Sequence, residues 1–76
     1  MFNVYIRLKD SRNRVVAKVL VGRTKTFVDA YTAAKDFNNT PTVHRSPSIQ
    51  RVIDSIKHLF PENDLTAEAY AGNAPS

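Results

Sequence analysis

The chain has 76 residues, 42% of them hydrophobic, with no cysteine and a formal net charge of +4. That length bounds it to one domain, with a core too small to leave much margin of stability. The composition excludes disulfides and thiolate metal sites, and it argues against a disordered chain.

Phe2, Val4, Ile6 and Leu8 alternate with Asn3, Tyr5, Arg7 and Lys9, the period-two pattern of a half-buried strand. Asp10-Ser11-Arg12-Asn13 is rich in turn formers. A second strand, dense in β-branched residues, follows from Arg14 to Val21 and stops at Gly22. The two strands pair as a hairpin with Lys9 opposite Arg14, or with the register slipped by two residues, which preserves the faces. One face is then wholly apolar. The other holds Asn3, Tyr5, Arg7, Lys9, Arg14, Val16, Lys18 and Leu20.

Thr26 can cap a helix, with Asp29 three residues on in a pattern close to a capping box, and Phe27, Ala30, Tyr31, Ala34 and Phe37 then recur at helical spacing. Asn38-Asn39 suits a left-handed helix stop. Thr42-Val43-His44, flanked by prolines, is a candidate short third strand at a sheet edge. Ser46-Pro47 signals the start of a second helix, whose apolar stripe is Ile49, Val52, Ile53, Ile56, Leu59 and Phe60, and Pro61 ends it. Residues 62–76 read as an acidic, weakly ordered tail, with Leu65 and Tyr70 able to pin one short turn.

The expected architecture is α+β in the order β-β-α-(β)-α. A β-hairpin with a candidate short third strand packs on two helices within a compact domain spanning residues 1–61. The first segment lacks the continuous apolar stretch of a signal peptide and no run reaches membrane-spanning length, so a cytoplasmic location without membrane contact is expected.

No catalytic constellation is legible. His44 and His58 are the two histidines, and His58 lies opposite Ile49 on its helix, toward solvent. The carboxylates show no paired placement, and two glycines make no phosphate-cradling loop. Neither an enzyme nor a cofactor or metal requirement is expected.

Charge gives the stronger lead. Residues 1–25 hold seven basic side chains against Asp10 alone, a balance of +6, whereas the remainder carries four basic and six acidic residues. Such asymmetry favours an anionic partner for the first third of the chain. Arg7, Lys9, Arg12, Arg14 and Lys18, with Tyr5 among them, are the ingredients of non-specific nucleic-acid binding. Lysine and arginine on a sheet face also serve to block edge pairing, so the pattern has a purely structural use as well. Val16 and Leu20 beside Tyr5 make a small apolar patch suited to protein contact.

A third feature is Val43–Ser48. His44, Arg45, Ser46 and Ser48 gather where a helix begins, and its free N–H groups favour an anion. The same residues also read as an ordinary helix cap with a basic neighbour. Two functions fit these features. One is a small binding domain for nucleic acid. The other is a protein-interaction module, such as a small phage-like or mobile-element protein that binds and inhibits a larger host protein complex. A homodimer with a structural role fits the thin core.

Overall fold

A computed structural model describes residues 1–61 and 64–73. The elements are β1 (Phe2–Lys9), β2 (Val15–Thr24), α1 (Phe27–Asn39), a 3-10 turn (Thr42–His44), α2 (Pro47–His58) and β3 (Thr66–Asn73). They form a three-stranded antiparallel sheet, ordered β2-β1-β3, with two helices on one face. The class is α+β, as the alternation of the first strand and the helical spacings predict.

Several expectations are corrected. The second strand does not stop at Gly22 but runs to Thr24, with Gly22, Arg23 and Thr24 paired to Val4, Asn3 and Phe2. Thr42–His44 is not a strand: the His44 N–H donates to the Pro41 carbonyl at 2.9 Å and the Arg45 N–H to Thr42 at 3.2 Å. Those local bonds use the donors that a ladder would need. The third strand instead comes from the segment read as a loose tail, since residues 66–73 pair along the whole of β1, from Lys9↔Thr66 to Phe2↔Asn73. Ala67, Ala69 and Ala71 face the helices and Glu68 and Tyr70 face away, so the strand obeys a strict period of two. Residues 62, 63 and 74–76 of the expected tail lie outside the described residues.

The core joins Val4, Ile6 and Leu8 of β1 to Ala30 and Ala34 of α1, Ile53 of α2, and Leu65 and Ala69. β1 is the central strand and supplies three of these eight residues, which makes it the keystone of the domain. Phe2 packs edge-to-face on Phe27, with ring centroids 5.7 Å apart. The Thr26 side chain accepts from the Asp29 N–H at 3.2 Å and caps α1, as its spacing predicts.

Asn38 does not stop α1 in a left-handed conformation: the helix continues to Asn39, and Thr40 closes it with extended φ. Its amide instead reaches the outer edge of β3, where Nδ2 donates to the Ala69 carbonyl at 2.9 Å and Oδ1 accepts from the Ala69 N–H at 2.7 Å. One side chain thus imitates a neighbouring strand at Ala69 and obstructs further pairing at the middle of that edge. Replacing Asn38 with alanine orphans both groups of a residue that is only 4% exposed. The expected cost is about 1–3 kcal/mol, read as a lowered midpoint in urea unfolding.

The hairpin register follows from its turn. Asp10 Oδ1 accepts from the N–H groups of Arg12 and Arg14 at 2.9 and 3.0 Å, and Asn13 takes φ 64°, a conformation that asparagine tolerates. The turn closes with the Asp10 N–H donating to the Arg14 carbonyl. Lys9 therefore lies opposite Val15, not Arg14, while the ladder beyond pairs Leu8 with Ala17, Arg7 with Lys18 and Ile6 with Val19. One residue is left over, so β2 bulges at Val16, and it bulges again at Val21 before Gly22 meets Val4.

Candidate nucleic-acid interface

The sheet face turned away from the helices is built in cross-strand rows. Lys18, Arg7 and Glu68 form one row, and Leu20, Tyr5 and Tyr70 the next. Val15, Lys9 and Thr66 flank them at one end, and Arg23, Asn3 and Gly72 at the other. The alternation of β1 and β2 thus brings Tyr5, Arg7, Lys9, Lys18 and Leu20 together, as expected.

Val16 does not join them. The bulge turns its side chain toward the core cluster, where it is partly buried, and Val15 takes the outward place at 51% exposed. Arg12 and Arg14 sit at the hairpin tip, and Arg14 Nε donates to Asp10 Oδ2 at 3.1 Å. The like-charge contact of Lys9 with Arg14 is therefore absent.

Tyr5 and Tyr70 stack across β1 and β3 with centroids 5.3 Å apart and planes 24° from parallel. Lys18 Nζ lies 5.0 Å from the centre of the Tyr5 ring, and the Arg7 guanidinium 4.9 Å from that of Tyr70. The buried Asn3 donates to the Tyr5 hydroxyl at 2.7 Å. A Cβ at Gly72 would meet the Tyr5 ring at 3.2 Å, so glycine leaves the space into which that ring leans. With their inner faces against each other, the rings offer edges and flanking cations to a partner rather than an open stacking platform.

Glu68 sets the electrostatics at the centre. Arg7 Nε and Nη2 both donate to its Oε1, and Lys9 Nζ lies 3.6 Å from Oε2. The Arg7 hydrogen bond holds the Glu68 carboxyl below its ordinary value against partial desolvation, with the charges of Arg7 and Lys9 adding to the effect. Asp10 is likewise lowered, chiefly by the Arg14 backbone N–H. A depressed carboxylate stabilises the fold above its unfolded pKa, and that contribution is lost as pH falls through the folded value. The stability advantage of the native chain over Glu68→Gln should therefore shrink from the ordinary carboxylate range downward. Thermal unfolding of both chains across that range checks it.

Within the basic first third of the chain, pairing with Glu68 and Asp10 leaves the unpaired cations in the hairpin turn and along and just beyond β2. Arg12, Lys18, Arg23 and Lys25 are exposed and make no ion pair among the described residues. Arg23 was not among the expected site residues because the second bulge was not anticipated; without that bulge it would turn to the helices. Glu68 and Tyr70 were missed with the strand that carries them.

At the start of α2, Ser46 occupies the cap position but its hydroxyl makes no cap bond and lies 3.0 Å from that of Ser48. Arg45 folds back with its guanidinium 4.5 Å from the centre of the Phe37 ring, and His44 is exposed in the 3-10 turn. The four residues of the expected anion site are neighbours, but Arg45 is engaged with the aromatic ring rather than extended beside the helix N–H groups.

Among the described residues no helix is long and apolar enough to cross a membrane. No family model matches the chain, and neither a curated protein nor a solved structure does.

Proposed function

We propose that the protein is a non-enzymatic, cytoplasmic nucleic-acid-binding domain that grips the phosphate backbone along its hairpin tip and β2. One observation carries this reading. Arg12, Arg14, Lys18, Arg23 and Lys25 are all exposed, and no acidic residue interrupts the chain from Ser11 to Val28. A ten-residue strand spans roughly 30 Å, so these cations form an extended line rather than a point charge. Such a line suits a polyanion better than a small anion. The tyrosine pair backs it with an aromatic ridge, and the stacked geometry favours backbone contact over base reading.

Arg12, Lys18, Arg23 and Lys25 neutralising one phosphate each give a slope of log affinity against log salt of roughly −3 to −4 for duplex DNA. Titration of a mixed-sequence oligonucleotide at several salt concentrations tests the reading, and absence of binding at low salt defeats it. Glu68→Gln frees Arg7 and Lys9, so this variant should bind more tightly while being less stable.

A second reading, docking on a protein, draws on Leu20 and Val15, which are 45% and 51% exposed on the same face. A small phage-like inhibitor of a host complex would use such a mixed apolar and basic surface. Binding that survives nuclease treatment in a pull-down favours this second reading.

A further inference from the structure

We infer that the outer edge of β2 and the groove between it and α2 take an extended acidic segment of a partner protein as a fourth strand. This surface borders the open sheet face along Lys18, Leu20 and Arg23 but uses the strand edge and the groove behind it, and the inference does not rest on nucleic-acid binding.

The backbone supplies the first argument. The Asn38 bonds fix the N–H and C=O of Ala69 as pointing away from β1. Backbone groups alternate along a strand and across an antiparallel ladder. Ile6, opposite Ala69, therefore turns its groups to β2, and Val19 answers them. Lys18 and Leu20 must then point theirs outward. β2 is an outside strand, and among the described residues no backbone hydrogen bond outside the sheet involves residues 15–24. This edge is unpaired, whereas the β3 edge is engaged at its middle residue, Ala69, by Asn38.

The groove supplies the second. Val19, Leu20 and Val21 line one wall, and Ser48, Ile49 and Val52 the other. Val52 belongs to the apolar stripe of α2, yet it is 39% exposed where it lines this groove. A strand added outside β2 covers Val52 with every second side chain and turns the others to the open face.

Charge names the occupant. The outward-turned side chains of an added strand would lie beside Lys18 and Arg23, which makes acidic residues their complement. A second copy fits poorly in either arrangement. β2 against β2 places two lines of cations along one ladder, and β2 against β3 meets an edge obstructed at its middle by Asn38. The partner is thus a different chain whose extended segment alternates apolar with acidic residues.

The test uses the full chain and a synthetic peptide of about eight residues, a strand's length, alternating valine with glutamate. A valine–lysine peptide is the control. The acidic peptide should bind saturably, slow hydrogen exchange of the Lys18 and Leu20 amides, and shift the resonances of Val52. Val52→Asp, a change at a half-exposed position away from the open face, should weaken it by about tenfold or more. Leu20→Pro removes an outward donor that the β1 ladder does not use, and should abolish binding. The inference is overturned if peptide shifts spread evenly over the exposed cations without protecting the two amides, or if Val52→Asp and Leu20→Pro bind like the native chain. It is also overturned if an oligonucleotide protects the same two amides, or if the free chain self-associates through them. Oligonucleotide binding that moves only the cations and tyrosines leaves both conclusions standing.

Discussion

Reversing Lys18 and Arg23 together to glutamate should reduce oligonucleotide affinity at low salt by about 100-fold or more, and reduce the salt slope by roughly two. Both side chains are exposed and belong to no ion pair among the described residues, so the fold should tolerate the change. Arg7→Ala is the informative contrast. Arg7 is the principal partner of Glu68, so its removal should cost stability and leave a new negative charge at the centre of the face. Fluorescence anisotropy with a labelled oligonucleotide separates the two effects when thermal unfolding is recorded on the same samples. A double reversal that binds like the native chain removes β2 from the interface and with it the proposed function.

Ending the chain at Asp64 should unfold the domain. The deletion removes Leu65 and Ala69 from the core and takes β3 from the side of β1. Leu65 alone is 6% exposed, and burying a side chain of that size contributes about 1.5–3 kcal/mol. Ile6 and Leu8, each 1% exposed in the intact fold, would lose one flank to water. What remains is a two-stranded hairpin on two helices, and small domains hold a total margin of only about 5–15 kcal/mol. Loss of the cooperative thermal transition by circular dichroism is the expected result. A truncated chain that still melts cooperatively near the native temperature would mean that β3 is an accessory to the fold.

The two expected effects share one cause. The last strand is both a structural wall and the electrostatic regulator of the open face. Glu68 engages Arg7 and Lys9, and the unpaired cations of the first third are left in the hairpin turn and along β2. A surface that looks broadly basic in the chain becomes directional once the strand is in place.

Part of this was written plainly in the residues. The alternation from Phe2 to Lys9 defined the central strand and both its faces, because period two leaves a half-buried strand no other way to bury its apolar set. Thr26 defined the start of α1, and Pro47 that of α2. The bulges also left a trace. Val15-Val16 and Val19-Leu20-Val21 break the alternation where β2 carries its extra residues. A bulge lets adjacent residues face one side, so a broken alternation in a β-branched run is its signal.

The last strand left a fainter trace. Thr66, Glu68, Tyr70 and Gly72 alternate with three alanines, but alanine and glycine are poor strand formers and the segment contains no β-branched aliphatic residue. Its strand state comes from β1, which offers a full ladder, and from α1, which lies close enough that alanine is the side chain that fits between them.

The sequence by itself therefore determined the central strand, the two helices and the excess of positive charge in the first third, all of which follow from local periodicity, capping and composition. Tertiary structure alone decided the third strand, the pairing of Glu68 with Arg7 and Lys9, and the bonding of Asn38 to the outer edge of β3. Each of these joins residues far apart in the chain, 61 positions for Arg7 and Glu68 and 31 for Asn38 and Ala69. No local pattern encodes such a meeting, because its free energy is gained only when the whole sheet is assembled.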